Sequence, residues 1–420
     1  MSDVWDELKW RGLVAHSTDE AALREALSSG PLTYYVGFDP TAPSLHVGHL
    51  VQILTVRRLQ QAGHLPLILV GGATGLIGDP RPTSERTMNS PETVAGWVGK
   101  LQRQIEPFLE FSGPAPARMV DNLDWTAGMS AIEFLRDVGK HFPVNRMLDR
   151  DAVKRRLEST GISYTEFSYV LLQSNDYLQL HRRHGCALQL GGSDQWGNIT
   201  AGAELVRRVE GRSVHALATP LLTKADGTKF GKTESGAVWL DPELTSPYAF
   251  YQFWLNAEDA KVEDYLKAFS FRSPAEIAEL GRAVEEDPRA RAAQRALAED
   301  VTTLVHGAAA TRAVQDASSA LFGGSDLAGI DEAILRGAVA ELPTARPDGT
   351  GVRVTQLLVD TGLAPSLSAA RRTVGEGGAY VNNDKVTDPD ATLADVTLLH
   401  GRYAVLRRGK KSLGAVLLEV

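Results

Sequence analysis

Residues 39–49 read DPTAPSLHVGH, and they stand where one structural pattern gives way to another. The run before them, YYVGF at 34–38, is largely apolar and is typical of a short buried strand. After them, apolar residues recur at helical spacing as far as residue 59. The pattern therefore predicts a strand that turns into a helix here, with Thr41 and Ser44 as candidate helix caps.

Two histidines, His46 and His49, are three positions apart and so share one face of the predicted first helical turn. The N–H groups and the dipole at a helix N-terminus favour an anion, and Gly48 leaves room for its close approach. One alternative is a metal half-site, but the stretch lacks an HExxH pattern and a third ligand nearby. Another is a pair of histidines that cap or pack. The stretch is best interpreted as a nucleotide phosphate site, with no metal.

Strand and helix patterns alternate from residue 34 to residue 218. Such alternation predicts an α/β domain with a doubly wound, Rossmann-like parallel sheet, whose ligand crevice lies at the carboxyl ends of the strands. Glycine-rich turns after several of these strands agree with that arrangement. The predicted strands are 34–38, 65–70, 117–120, 187–190 and 214–218, and a largely helical insertion is predicted at about 140–185.

Composition places broad limits on the protein. The 420 residues suffice for two or three domains, each with its own core. The net charge of −8 argues against binding to nucleic acid over the whole surface, but residues 351–420 carry 9 Lys and Arg against 7 Asp and Glu. Cys186 is the single cysteine and cannot form an intramolecular disulfide. No signal-peptide or membrane-spanning pattern is evident, so we expect a cytoplasmic protein.

Two motifs in the same order carry a resemblance to a known family. Residues 37–49 resemble the HIGH signature of class I aminoacyl-tRNA synthetases, in the form of the tyrosyl branch. Residues 224–233, KADGTKFGKT, resemble the KMSKS loop of these enzymes, whereas as a P-loop they lack the required first glycine. The resemblance implies that the phosphate chemistry is carried by Thr41, His46, His49, Lys229, Lys232 and Thr233.

A third run, EFSYVLLQSNDY at 166–177, places Tyr169, Gln173 and Asp176 on one helical face. That pattern alone is also typical of a solvated surface. In the tyrosyl family the matching positions line the amino-acid pocket, which implies that Tyr35 and Asp176 meet the phenolic hydroxyl. Both would be left unpaired by phenylalanine, and tyrosyl enzymes are themselves the standard example of this discrimination. The tyrosine-binding residues implied are Tyr35, Asp79, Tyr169, Gln173, Asp176 and Gln195.

The glycine turns at 71–79 and 190–198 each contain an aspartate, Asp79 and Asp194, that could be an ordinary helix cap. The resemblance implies instead that Asp79 binds the amino group of tyrosine and Asp194 the ribose of ATP. Val36 stands where relatives often have a ribose-binding cysteine, so Asp194 should carry more of that contact. The ATP-binding residues implied are Asp39, Gly48, Gly192, Asp194 and Lys232.

The loop at 80–86 departs from the family pattern. Relatives often carry a lysine there that is proposed to grip pyrophosphate, whereas here Arg81 and Arg86 are the nearby cations. The sequence leaves the role of this loop open.

Strand patterns stop after residue 247, and the rest of the chain divides into smaller parts. We predict a catalytic domain at 1–247, an α-helical tRNA-contacting domain at 248–322, a linker at 323–351 and a small α+β module at 352–420. The module is similar to the RNA-binding module of ribosomal proteins and pseudouridine synthases, although a solvated basic face is an alternative. The cations expected to meet phosphates are Arg371, Arg372, Lys385, Arg407, Arg408, Lys410 and Lys411.

The resemblance implies a ligase that activates L-tyrosine with ATP to tyrosyl-AMP and pyrophosphate, then transfers tyrosine to the 3′ end of tRNA(Tyr). Mg²⁺ is expected to accompany ATP without a dedicated protein site, and a homodimer is common in the family. One alternative is a synthetase for another aromatic amino acid, against which Tyr35 and Asp176 argue. The other is a non-catalytic RNA-binding relative, which should have lost one of the two signatures.

Overall fold

The computed structural model describes residues 3–81, 84, 86, 88–228, 230–233, 236–322, 326–409 and 412–418, with the backbone alone at 152, 232 and 233. Three predicted site residues, Lys229, Lys410 and Lys411, therefore lie outside the described residues. The chain forms two compact units, one of Met1–Asp241 with Glu258–Pro288 and the other of Pro242–Ala257 with Arg289–Val420. Among the described residues, none of the helices has the length and apolarity needed to span a bilayer.

The first unit is built on a mainly parallel sheet. Its strands are β1 (His16–Ser17), β2 (Thr33–Phe38), β3 (Leu65–Val70), β4 (Arg118–Asp121), β5 (Leu188–Gly192), β6 (His215–Thr219), β7 (Lys232–Thr233) and β8 (Gly236–Ala237). The first six form one sheet in the order β1-β6-β5-β2-β3-β4, and β7 pairs with β8. All pairings in that sheet are parallel except that of β1 with β6. The predicted parallel sheet is confirmed.

Helices connect these strands and continue into the second unit. They are α1 (Val4–Trp10), α2 (Glu20–Ser28), α3 (Val47–Gln61), α4 (Thr74–Ile77), α5 (Pro91–Ile105), α6 (Leu123–Thr126), α7 (Ala131–Glu133), α8 (Val144–Leu148), α9 (Asp151–Leu157), α10 (Tyr164–His184), α11 (Trp196–Glu210), α12 (Pro247–Leu255), α13 (Val262–Phe269), α14 (Pro274–Glu286), α15 (Ala292–Leu321), α16 (Glu332–Ala340), α17 (Val354–Asp360) and α18 (Leu367–Gly375). The second unit contains α12 and α15 to α18.

Glycines draw the carboxyl ends of the central strands together. A Cβ atom on Gly71 would lie 2.2 Å from Oδ1 of Asp39, and one on Gly72 would lie 2.4 Å from Oδ1 of Asp121. The N–H of Gly72 donates to that Asp121 oxygen at 3.0 Å. Any side chain at these two positions would displace a carboxylate, so the turn after β3 requires glycine for close approach.

The predicted end of the catalytic domain at residue 247 is wrong, because α13 and α14 belong to the first unit. Two buried arginines hold α13 there: Arg11 and Arg58 donate to the carbonyl oxygen of Ser270 at 3.1 Å and 2.7 Å. Cations at the last carbonyls of a helix satisfy those groups and complement the dipole. Because Arg11 and Arg58 are more than 200 positions from Ser270, local patterns could not reveal the contact.

The second unit contains a five-stranded sheet, and here the linker prediction is wrong. Its strands are β9 (Thr344–Ala345), β10 (Ala379–Val381), β11 (Asp384–Lys385), β12 (Tyr403–Arg408) and β13 (Ser412–Leu417), in the order β11-β10-β12-β13-β9. Both α16 and β9 fall inside the predicted linker at 323–351, and β9 pairs in parallel with β13. Asp331 caps α16, so an aspartate that suggested loop composition in fact starts a helix. The small module therefore begins before residue 352.

Candidate functional site

The first signature forms the start of α3, with His46 as its N-cap. Nδ1 of His46 accepts from the N–H of Gly48 at 3.0 Å, and the N–H of His46 donates to Nδ1 of His49 at 3.2 Å. The two imidazole rings stack with centroids 3.9 Å apart. The predicted caps are wrong, since Ser44 donates to the carbonyl of Leu45 and Thr41 is exposed. The predicted shared face of the two histidines is confirmed.

Both imidazoles are arranged as donors. Burial, together with the charge of His46, lowers the pKa of His49 to about 3, so His49 is neutral at neutral pH. A neutral ring whose Nδ1 accepts a hydrogen bond carries its hydrogen on Nε2. The start of α3 thus presents Nε2–H groups together with the N-terminal end of the helix dipole, a combination suited to phosphate oxygens.

The second signature is brought against the first through backbone contacts. The N–H of Val47 donates to the carbonyl of Val238 at 3.0 Å, and the N–H of Leu240 donates to the carbonyl of Leu45 at 2.8 Å. Gly231 has a φ of +82°, and a Cβ atom there would lie 2.5 Å from Cγ2 of Val47. The loop of 224–233 therefore continues into a segment paired with the first signature. The side chains of Lys232 and Thr233 lie outside what the structure describes.

A buried carboxylate, Asp176, lies at one end of the candidate tyrosine pocket. Its Oδ2 accepts from Nδ2 of Asn122 at 3.0 Å, and its Oδ1 accepts from Nε1 of Trp125 at 2.9 Å. Burial raises the pKa of Asp176 to about 8. The hydroxyl of Tyr35 is buried and has no hydrogen-bond partner among the described residues. Burial raises the pKa of Tyr35, and the charge of nearby Asp176 raises it further.

A second carboxylate, Asp79, lies on the other side of the site. Its Oδ2 accepts from Nε2 of Gln195 at 2.8 Å, and its Oδ1 accepts from Nδ2 of Asn198 at 3.2 Å. Burial raises the pKa of Asp79. Oε1 of Gln173 is also buried without a hydrogen-bond partner among the described residues. A desolvated carboxylate such as that of Asp79 is suited to an ammonium group.

Asp39 connects the predicted ATP-binding residues to the predicted tyrosine-binding residues. Its Oδ2 accepts from the hydroxyl of Tyr169 at 2.7 Å, and its Oδ1 accepts from Oγ1 of Thr74 at 2.6 Å. Oγ1 of Thr74 in turn accepts from Nδ2 of Asn122 at 2.9 Å, the same group that reaches Asp176. A continuous hydrogen-bonded chain therefore runs from Tyr169 to Asp176 beneath the site.

Asp194 lies apart from this chain. It is exposed in the short 3-10 turn Ser193–Gln195 that follows β5. A Cβ atom on Gly192 would lie 2.6 Å from Oδ1 of Asp194, so glycine gives the carboxylate its room. An exposed acid at the carboxyl end of a strand is placed as ribose-binding acids are in α/β nucleotide folds.

Sequence reasoning missed the residues that support these carboxylates: Thr74, Asn122, Trp125 and Asn198. A signal was available for two of them, because Asn122 and Trp125 directly follow the predicted strand at 117–120. Polar residues at the carboxyl end of a parallel strand are candidates for the ligand crevice.

The described members of the predicted RNA-binding set lie on the sheet and a helix of the second unit. Arg371 and Arg372 are exposed on α18, and Lys385 is exposed on β11. Tyr380 stands opposite Lys385 on one side and Arg407 on the other, with the guanidinium of Arg407 4.0 Å from its ring centroid. The structure therefore brings a cation, an aromatic ring and a second cation into one row.

Comparison with known families assigns most of the chain. Residues 27–323 match the family of class I tRNA synthetases for tryptophan and tyrosine. Residues 334–416 match the C-terminal domain of SYY-like tyrosine–tRNA ligases. The first match covers more than half of the chain.

Individual relatives agree with these families. A tyrosine–tRNA ligase of Kineococcus radiotolerans is 80% identical over 416 residues, which is 99% of each chain. One of Streptomyces coelicolor is 69% identical over 418 residues, again 99% of each chain. A C-terminally truncated mitochondrial tyrosyl-tRNA synthetase of Aspergillus nidulans is 30% identical with a TM-score of 0.69, covering 77% of this chain and 95% of that one. The chain belongs to the class I tRNA synthetases for tryptophan and tyrosine, and within them to the tyrosine–tRNA ligases.

Proposed function

We propose that the pocket between Tyr35 and Asp176 binds the phenolic hydroxyl of tyrosine during the ligase reaction. The observation that carries this proposal is the buried Tyr35 hydroxyl, which has no hydrogen-bond partner among the described residues and lies near the Asp176 carboxyl group. A buried polar atom without a partner is costly unless a ligand supplies one. Phenylalanine lacks the hydroxyl, so its binding would leave the Tyr35 hydroxyl without a partner and would be disfavoured.

The amino end of tyrosine is held by Asp79, Tyr169, Gln173 and Gln195 in this proposal. Asp79 supplies negative charge, and Gln173 supplies a buried acceptor that the described residues leave unpaired. Gln195 donates to Asp79 and so orients that carboxylate. In this proposal it also contacts the substrate carboxyl group.

ATP lies at the start of α3 in this proposal. Its phosphates accept hydrogen bonds from Nε2 of His46 and His49, while Gly48 allows the close approach. Thr41, Lys229, Lys232 and Thr233 complete the phosphate site from the two signature loops. The remaining contacts to ATP come from Asp39, Gly192 and Asp194. Of these, Asp194 accepts hydrogen bonds from the ribose hydroxyls.

These positions account for the chemistry without a covalent enzyme intermediate. A carboxylate oxygen of tyrosine attacks the α-phosphorus of ATP, the bond to the bridging oxygen breaks, and pyrophosphate leaves. A hydroxyl at the 3′ end of tRNA(Tyr) then attacks the tyrosyl carbonyl, loses its proton and expels AMP. The protein contributes positioning and stabilisation of the charge that develops on phosphate oxygens.

Mg²⁺ accompanies ATP in this proposal. The described residues hold no cluster of three His, Cys, Asp or Glu side chains suited to a metal. Phosphate oxygens and water then supply most of its ligands, as is usual for Mg²⁺ bound with a nucleotide. EDTA should abolish pyrophosphate exchange, and added Mg²⁺ should restore it.

A homodimer completes the assembly in this proposal. Several large apolar side chains are exposed in the segment 131–164, among them Ile132 at 71% and Tyr164 at 69%. A second copy of the chain would remove them from water. Light scattering should give twice the chain mass, and the double variant Ile132→Glu/Leu135→Glu should give the single-chain mass.

We place the protein in the cytoplasm. Its single cysteine, Cys186, is a buried free thiol, which suits a reducing compartment. Fractionation of cells should find the protein with soluble cytoplasmic enzymes, and recovery with membranes would contradict this.

The test is ATP–pyrophosphate exchange with tyrosine, phenylalanine and tryptophan in parallel. We expect exchange with tyrosine, and exchange with phenylalanine at the same efficiency would contradict the roles of Tyr35 and Asp176. His49→Ala should slow exchange about tenfold, the loss of one hydrogen bond to a charged group, with tyrosine affinity nearly unchanged. An equal loss of tyrosine affinity would overturn the phosphate role of His49.

A further inference from the structure

Arg156 is a fully buried arginine on a short surface helix. It lies on α9 with its side chain 1% exposed, whereas its neighbours Lys154, Arg155 and Leu157 are exposed. Burying a guanidinium is costly unless its donors are paired. The partners of Arg156 therefore indicate what the residue does.

Its donors reach the backbone of the loop at 80–86. Nη1 donates to the carbonyl oxygen of Arg81 at 3.1 Å and to that of Ser84 at 2.9 Å. Nε donates to the carbonyl of Gly161 at 2.8 Å, which fixes the guanidinium plane from the other side. One side chain thus holds two points of a loop about 70 positions away in sequence.

The same guanidinium pairs with Glu166, whose side chain is 3% exposed. Nη2 of Arg156 lies 2.9 Å from Oε2 of Glu166. Oε1 of Glu166 accepts the N–H of Arg86 at 3.2 Å, a third point of the loop. Glu166 also stands in the first turn of α10, the helix that carries Tyr169, Gln173 and Asp176. The pair therefore joins the loop to the helix of the tyrosine pocket.

The loop carries two cations, Arg81 and Arg86, and the side chain of Arg86 reaches the site. Nε of Arg86 donates to the carbonyl of Asp79 at 2.9 Å. Burial and the charge of Arg81 lower the pKa of Arg86, while the carboxylates of Asp79 and Asp39 raise it. The guanidinium of Arg86 is therefore held at Asp79, and Arg81 is five positions away on the same loop. An anion of high charge would be attracted to both cations.

We propose that Arg156, through Glu166 and the carbonyls of Arg81 and Ser84, is a positioning residue that holds the 80–86 loop so that Arg81 and Arg86 face the triphosphate of ATP. This inference rests on the proposed placement of ATP. Arginine suits the task because its planar fork reaches several acceptors at once, whereas lysine carries a single point charge. The loop lacks the family lysine. Two arginines, Arg81 and Arg86, supply its cations, and Arg156 holds it at the carbonyls of Arg81 and Ser84.

The test compares Arg156→Lys with wild type in pyrophosphate exchange. Lysine keeps a charge near Glu166 but loses the fork, so we expect the KM for ATP to rise about tenfold, the equivalent of one hydrogen bond to a charged group. The KM for tyrosine should stay within about twofold, because the pocket contacts of Tyr169 and Asp176 are untouched. Arg155→Lys on the same helix, at an exposed position, is the matched control and should behave as wild type.

A second variant guards against simple misfolding. Arg156→Met/Glu166→Leu removes both charges and fills the space with apolar groups, a replacement that buried ion pairs often tolerate. Provided that its thermal transition and its equilibrium binding of tyrosine match wild type, it should show the same selective rise in the KM for ATP. A folded variant with an unchanged KM for ATP, or with the two KM values raised equally, would overturn the inference. Wild-type exchange with tyrosine tests the proposed function separately.

Discussion

The proposed tyrosine pocket of the first unit and the basic surface of the second unit hold their polar side chains in opposite ways. In the pocket, Asp39, Asp79 and Asp176 each accept two side-chain hydrogen bonds, and burial raises the pKa of all three. On the surface, Arg371 and Arg372 are exposed, and the nearest carboxylate to Arg371, on Asp390, is 3.6 Å away.

The difference shows how each region can recognise its partner. A buried carboxylate whose hydrogen bonds are satisfied is fixed in position. It can therefore discriminate a substrate hydroxyl or ammonium group, and its removal should cause a large loss of binding free energy. An exposed cation is screened and weakly fixed, so it contributes little alone and mainly through counterion release. Changes in the pocket should therefore be large and insensitive to salt, while changes on the surface should be small and salt-dependent.

The most complete separation of the two regions is a truncation. Ending the chain at Leu342 removes the whole five-stranded sheet, including β9, which a cut at residue 352 would leave behind without its partner β13. We expect pyrophosphate exchange to persist within about twofold and tRNA charging to fall by about 10³, the scale of several lost phosphate contacts. Loss of exchange would show that the regions are not separable.

The next largest effect should come from Asp79→Asn. The amide keeps the shape of the carboxylate but loses the charge that we propose faces the substrate ammonium, so kcat/KM for tyrosine should fall by about 10². The KM for ATP should change little. Asp124→Asn, at an exposed carboxylate on α6, is the control and should resemble wild type. Rescue of the variant by high salt, or an equal rise in the KM for ATP, would contradict the difference between the pocket and the basic surface.

Much of this contrast could be predicted from the sequence, but for different reasons in the two regions. The shared face of His46 and His49 follows from helical spacing, and the parallel sheet follows from alternation. The N-cap role of His46 could not be predicted in this way, because Thr41 and Ser44 are common capping residues that stand nearby. Ser44 instead donates to the carbonyl of Leu45, and His46 accepts from the N–H of Gly48. The position of Asn122 after a predicted strand made it a candidate, but its contact could not be predicted, because its partner Asp176 is 54 positions away. Contacts of that separation depend on the packed fold.

Distant contacts also explain the two wrong boundaries. Glycine and proline around residues 323–351 suggested a linker, yet β9 gains order by pairing with β13, about 70 positions later. In the same way, α13 is held by Arg11 and Arg58, which are more than 200 positions away in sequence. Composition describes a segment by itself, whereas these segments are ordered by partners.

A pH series sharpens the comparison from the pocket side. The raised pKa of Asp176, about 8 against an ordinary value of 3.8, means that the folded state binds a proton more tightly than the unfolded state. Stability from this group is therefore present at low pH and is lost as pH rises toward 8, at about 1.4 kcal/mol per pH unit. Urea unfolding should show this loss in wild type relative to Asp176→Asn between pH 5 and pH 8.

His49 acts in the opposite direction below its ordinary pKa of 6.5. The pKa of His49 in the folded state is lowered to about 3, so the folded protein gains stability as pH rises from 3 to 6.5. Above pH 6.5 the fall assigned to Asp176 should therefore appear without this compensation. Parallel curves for wild type and Asp176→Asn across that range would refute the assignment.

The smallest effects should come from single cations of the basic surface. Arg371→Ala and Arg372→Ala each remove one exposed guanidinium from α18, so we expect the KM for tRNA to rise a few-fold in each. The slope of log affinity against log salt should fall by about one for each arginine that meets a phosphate. Arg336→Ala, at an exposed cation on α16 outside the predicted set, is the control and should leave the slope unchanged. A large, salt-independent loss at Arg371 would mean that this surface recognises its partner as the pocket does, through a fixed and specific contact.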